Sequence, residues 1–218
     1  MTLWIKICGN TTTEDALLAA QAGADALGFV FAPSPRRVTV EQAAAIVLHL
    51  PKATEKIGVF VDAGLDEIAS TVELCGLTGV QLHFDAPPAL AAQLREKFGT
   101  ELRILRVAHF DAEAMARSIA LDSDPSVDAI LVDSRTAAAI GGTGQPFDWA
   151  LAGRTLFRNP ETRKPLIAAG GLTPENVAKA IGTLRPWGVD VASGVEAAPG
   201  RRDPVRVRSF IANARSAR

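Results

Sequence analysis

Cys8 closes an apolar run that begins at Trp4, and Gly9 and Asn10 follow it. A thiol at such a strand tip, ahead of a helix, has a setting that would lower its pKa and let it work as a base. Free cysteine is also at home as an inert, buried, small apolar group, and position alone leaves both readings. Asp133 arrives just as abruptly, after Ala129, Ile130, Leu131 and Val132. A carboxyl there can act as acid or base, or simply accept hydrogen bonds from loop amides. Arg36 has the planar fork that grips a carboxylate by two parallel hydrogen bonds. Its neighbour Arg37 is equally basic, and residue type does not rank the two. His83 either contacts a ligand or satisfies hydrogen bonds at the end of its strand. Lys6 stands two residues before Cys8 and so points to the same side of an extended chain. That places it inside the fold with an acidic partner such as Asp190, and poorly placed to act as an exposed amine nucleophile.

A second group of residues has backbone chemistry to offer. Glycines recur at Gly141, Gly142 and Gly144, at Gly170 and Gly171, and at Gly194 after Ser193. Glycine lets backbone N–H groups approach an oxyanion closely, and a following helix adds a favourable dipole. Any one of these clusters could merely turn the chain, as Gly170 and Gly171 could do ahead of Thr173.

The elements that must position these groups follow from hydrophobic spacing. Short, β-branched apolar runs fall at 4–8, 26–31, 56–61, 79–83, 103–107, 129–133, 165–169 and 189–193. Several are apolar almost throughout, as strands covered on both faces are. Between them lie helical patterns: one behind a capping box formed by Thr11 and Glu14 and stopped at Gly23, then 40–50, 66–74, 88–98, 111–120 and 205–214. Thr173 followed by Pro174 offers one more N-cap. The polar stretch 154–164 lengthens the connection between the sixth and seventh strands. Eight strand–helix units in 218 residues predict one α/β domain over residues 1–218, a (β/α)8 TIM barrel. In that fold Cys8, Arg36, His83, Asp133 and all three glycine clusters gather at the C-terminal mouth. The clusters fall after strands six, seven and eight, the sector that commonly binds phosphate.

Composition excludes several other classes. Net charge is −1, so no global field recruits nucleic acid or an anionic membrane. No apolar stretch approaches the roughly 18–20 residues needed to span a bilayer, and the N-terminus does not read as a signal peptide. With only Cys8 and Cys75, a reduced, cytoplasmic setting with free thiols is expected. Three scattered histidines give no metal-site spacing. Outer helices without an additional apolar face point to a monomer.

At these residues the sequence resembles the phosphoribosylanthranilate isomerases over nearly its whole length. The shared segments include Lys6 to Gly9, Gly28 to Phe31, Ser34 to Arg36, Val80 to His83, Asp133 with Ser134, Gly141 to Gly144, Phe147 to Trp149, Ala169 to Leu172, Gly188 to Val191 and Ser193 to Glu196. The resemblance implies an isomerase of tryptophan biosynthesis that performs an Amadori rearrangement on a small phosphosugar, with neither metal nor organic cofactor. It assigns Asp133 as the acid that opens the ribose ring and Cys8 as the base at C2. Arg36 matches the position that holds the anthranilate carboxylate, and Asp190 one that bonds the sugar. The backbone around Gly142, Gly144, Gly170, Gly171, Ser193 and Gly194 would hold phosphate. Ala192, Arg202 and Phe84 depart from the family's commoner serine, lysine and glycine. A related isomerase of histidine biosynthesis is similar in reaction, but it resembles a two-aspartate design and Cys8 stands in the place of one aspartate.

Overall fold

The computed structural model describes residues 2–83, 86–110, 121–133 and 148–217. Eight parallel strands close a barrel in chain order: β1 (Trp4–Cys8), β2 (Ala26–Val30), β3 (Glu55–Phe60), β4 (Gly79–Leu82), β5 (Arg103–His109), β6 (Ala129–Asp133), β7 (Leu166–Ala169) and β8 (Gly188–Val191). The described helices are α1 (Thr13–Gln21), α2 (Val40–Val47), α3 (Leu65–Cys75), α4 (Pro88–Phe98), α5 (Trp149–Ala152), α6 (Val177–Leu184) and α7 (Pro204–Ser216). The fold is thus the expected (β/α)8 barrel. The helix expected over 111–120 lies outside the described residues, as do Phe84, Gly142 and Gly144.

Local chemistry moved several boundaries. The cap of α1 is Thr12, whose hydroxyl accepts from Asp15 N at 3.2 Å, not the expected Thr11. Thr11 is committed elsewhere, donating to Gly200 O at 2.6 Å. A full capping box does exist, at Thr39 and Gln42 of α2. Thr173 lies ahead of a turn, and α6 proper begins four residues later, though Thr173 O already accepts from Val177 N at 3.1 Å. The stretch 154–164 begins inside a helical segment rather than a connection: Asp148 caps α5, and a π-helical turn, Gly153–Phe157, continues it. Trp149, Ala152, Gly153 and Leu156 of that segment are buried.

A short antiparallel hairpin, β9 (Glu196–Ala198) and β10 (Arg201–Arg202), was not foreseen. It follows β8 and brings Arg202 into register with Glu196.

Strand alternation sorts side chains into two cores. Outward residues such as Ile5, Leu27, Phe29, Leu82, Ile104 and Ile130 pack under the helices. Inward residues Trp4, Ala26, Ile57, Leu105, Val107, Ala129, Leu131 and Ile167 fill the barrel. Burying each large aliphatic side chain contributes about 1.5–3 kcal/mol. At the floor Trp4 stacks on Trp187 with centroids 5.3 Å apart, and Arg103 pairs with Glu55 at 2.7 Å. Large and small residues must alternate there: a Cβ on Gly188 would lie 2.9 Å from the Trp4 ring and 3.0 Å from Trp4 O. Gly188→Ala is therefore expected to destabilise the barrel by about 1–3 kcal/mol, read as a lower urea midpoint. An unchanged midpoint would mean that the floor has slack the packing does not show.

Candidate active site

The site begins with a buried charge. Lys6 is fully buried, and its ammonium donates to Asp190 Oδ1 at 2.9 Å and Gln81 Oε1 at 2.8 Å. Lys6 and Asp190 are direct partners across β1 and β8, so register alone brings them together. Burial works to discharge the amine, but Asp190 and Cys8 outweigh it and hold Lys6 above its ordinary pKa. An ammonium so held is no Schiff-base nucleophile.

Cys8 sits one layer above Lys6 on the same face of β1. Both lean over Gly28 of β2: a Cβ there would meet Cys8 Sγ at 2.6 Å and Lys6 Cε at 3.1 Å. Glycine at this point gives the thiol and the lysine stem one shared slot. The thiol pKa corrects the expectation drawn from position. Burial pushes it up, Lys6 pulls it down, Asp190 raises it, Arg202 lowers it, and the balance stays above the ordinary value. Charge neighbours, rather than a helix start, are what favour the thiolate here. Cys75 is buried against Val40 O at 3.3 Å and is free, as expected of a packing residue.

Asp133 ends β6, only 7% exposed, in register with His109 of β5 and Ala169 of β7. From β1 the ring runs through β8 and β7 to β6, so Cys8 and Asp133 stand on separate arcs of one mouth. His83 and His109 add a polar wall on β4 and β5, with ring centroids 6.3 Å apart. His109 went unnoticed because β5 was expected to end at Val107. The alternation Leu105, Val107, His109 was the available signal.

Between those arcs lie the glycine loops. Gly170 and Gly171 both take positive φ, +81° and +65°. Asn176 braces that loop, donating to Gly171 O at 2.8 Å and accepting from Thr173 N at 2.8 Å. A Cβ on Gly194 would lie 1.9 Å from Leu172 O, so the loops after β7 and β8 touch backbone to backbone. Among the described residues no acceptor is found for the N–H groups of Gly171, Ser193 and Gly194. Clustered donors of this kind suit an oxyanion.

The structure ranks the two arginines: Arg37 is exposed, whereas Arg36 is half-buried. Arg36 grips Glu196 by two parallel bonds, Nε to Oε1 at 2.8 Å and Nη2 to Oε2 at 2.7 Å. One edge of the fork is thereby occupied, leaving the Nη1 end for a further anion. Glu196 and Arg202, both buried at this spot, had no part in the sequence-derived site. Only the unforeseen hairpin brings them in. Among the described residues no group of three metal-ligating side chains forms, and no helix is long and apolar enough to cross a membrane.

Comparisons with known proteins identify the family and the fold. Residues 5–213 match the family described as N-(5'-phosphoribosyl)anthranilate isomerase. An isomerase of that description from Pelobacter propionicus is 44% identical over 215 residues, 98% of this chain and 96% of that one. The crystal structure of phosphoribosyl anthranilate isomerase from Thermotoga maritima superposes with a TM-score of 0.87 at 36% identity, covering 98% and 99% of the two chains. A further isomerase structure, in complex with reduced 1-(o-carboxyphenylamino)-1-deoxyribulose 5-phosphate, gives 0.84 at 35% identity over 98% and 99%.

The charge pattern around Cys8 fixes a pH dependence. A raised thiol pKa means that thiolate appears only as pH climbs past the ordinary thiol range, and removing the Lys6 charge shifts that limb higher still. Alkylation of Cys8 by iodoacetamide, followed by peptide mass across pH, should show the limb and its upward move in Lys6→Met. A limb unmoved by that substitution would contradict the pairing.

Proposed function

The chain belongs to the N-(5'-phosphoribosyl)anthranilate isomerase family, and we propose that it converts N-(5'-phosphoribosyl)anthranilate to 1-(2-carboxyphenylamino)-1-deoxyribulose 5-phosphate in tryptophan biosynthesis, with Asp133 as acid and Cys8 as base. The observation that carries the residue roles is the placement of these two groups on separate arcs of one barrel mouth, with the glycine loops of β7 and β8 between them.

In this reading the phosphate docks on the backbone around Gly170, Gly171, Ser193 and Gly194, and the anthranilate carboxylate on the free end of Arg36. Gly142 and Gly144 belong to the same cradle by resemblance. Anchoring both ends of the substrate stretches the ribose across the mouth and turns a flexible sugar into an oriented one. Asp133 donates a proton to the ring oxygen as the C1–O bond breaks, and the amine lone pair forms the C1–N double bond of the Schiff base. Cys8 thiolate then takes the proton from C2. The C2–H electrons become the C1–C2 double bond of an enolamine, and the C–N π electrons return to nitrogen. Loss of the C2 hydroxyl proton and protonation at C1 give the ketone. Lys6 supplies the fixed positive charge beside the thiolate. Asp190, tied to Lys6 through Oδ1, presents Oδ2 to a sugar hydroxyl. His83 lines the side of the mouth away from β1.

The reading takes the chain as a monomer. The exposed large apolar residues among those described are Leu48, the C-cap of α2, with Leu74 on α3, Leu151 on α5 and Val205 on α7.

Anthranilate-type fluorescence lost on mixing with freshly made substrate measures turnover. Cys8→Ala and Asp133→Asn should each lower kcat by about 10²–10⁴-fold while keeping affinity for the reduced product analogue. Unchanged turnover in both folded variants would remove the assigned roles.

A further inference from the structure

The hairpin after β8 holds a buried cluster that the roles above leave unused. Both carboxylate oxygens of Glu196 are engaged within it. Oε2 accepts from Arg36 Nη2 at 2.7 Å, and Oε1 accepts from Arg36 Nε at 2.8 Å, Gly200 N at 3.1 Å and Arg202 Nη1 at 3.4 Å. Arg202, only 4% exposed, extends the cluster to β1, which carries the base, and to the end of β8. Its Nη1 donates to Ala192 O, just past β8, at 2.9 Å, and its Nη2 donates to Cys8 O itself. Gly9, with φ +84°, is the gap through which both arginines pass: a Cβ there would meet Arg36 Cδ at 2.6 Å and Arg202 Nη2 at 3.3 Å.

We infer that Glu196 and Arg202 are positioning residues that fix the Arg36 clamp to the strand tip bearing Cys8, so that one rigid unit sets both the carboxylate anchor and the base. This rests on the reading that Arg36 takes the substrate's carboxylate. Two chain properties support the inference. First, a long arginine side chain has many rotamers, and Glu196 removes that freedom before any ligand arrives. Second, Glu196 takes the Nε edge of the Arg36 fork and leaves its Nη1 end for a further anion, so the place of that end is set before the ligand arrives. The arginine at position 202 also suits the task, since its planar fork reaches the Cys8 carbonyl, the Ala192 carbonyl and Glu196 at once.

The test measures binding by calorimetry of two ligands: the reduced product analogue, and its counterpart made from aniline, which lacks only the carboxylate. The wild type should prefer the first by about 10–100-fold, as a charge-assisted hydrogen bond to a carboxylate allows. Arg36→Ala should erase that preference. Glu196→Gln and Arg202→Met should each cut it by about tenfold with little change for the aniline ligand. Arg202→Lys, which keeps the charge but loses the fork, should recover only part of it. Adding Glu196→Gln to Arg36→Ala should change nothing further. Circular dichroism confirms folding, and either the Glu196 or the Arg202 variant alone decides the matter if the other fails to fold. If Arg36→Ala loses the preference but Glu196→Gln and Arg202→Met keep it, or weaken both ligands equally, the positioning role is overturned while the clamp stands. If Arg36→Ala keeps the preference, the clamp reading falls and takes the inference with it.

Discussion

A lysine with no exposed surface sits at the centre of this barrel, and its charge dictates much of what surrounds it. An uncompensated buried ammonium costs several kcal/mol, so it must be paired and hydrogen-bonded. Asp190 and Gln81 meet that demand from β8 and β4. Their reach requires Lys6, Gln81 and Asp190 to share one layer of the interior, which fixes the inward parity of three strands. The same parity puts Cys8 one layer higher, at the mouth, directly above the charge. Gly28 completes the arrangement, because any side chain there would occupy the space of the thiol. Removing one partner leaves the others buried without compensation, so the pair is a constraint on register as well as on chemistry.

Above that layer the mouth divides its work by arc. The β7 and β8 loops present backbone donors, β6 presents a carboxyl, and β1 a thiol. The β2 loop presents a guanidinium held by the hairpin after β8. Backbone donors and a locked arginine are both preorganised groups, which lose little freedom on binding a ligand. In the proposed reading the reacting groups lie between these anchors, where a substrate stretched from phosphate to carboxylate would pass.

How much of this could be read from sequence varies with the kind of signal. Strands announced themselves by apolar runs, and Lys6 with Asp190 by the two-residue spacing from Cys8 and the need to pair a buried charge. Gly170, Gly171 and Gly194 were legible as backbone sites because positive φ and close contact are what glycine permits. Thr11 and Thr12 were not separable, since the choice depended on Gly200 lying near, 189 residues away in sequence. The pairing of Glu196 with Arg36 and Arg202 is not legible for a similar reason: the partners come from β1, the β2 loop and the end of β8, and the hairpin between them is too short to show a period. For the thiol pKa, strand-tip position points to solvent and a helix dipole, whereas burial is the larger effect.

The central claim is that Cys8 and Asp133 address different atoms of one sugar held between Arg36 and the glycine loops. A crystal structure of this protein with the reduced product analogue tests it directly. The account predicts Cys8 Sγ within about 3.5 Å of C2 and the Asp133 carboxyl within about 3 Å of the oxygen on C4, with phosphate on the β7 and β8 loops. A ligand bound with C2 turned away from Cys8, or with its phosphate at Arg36, would contradict it.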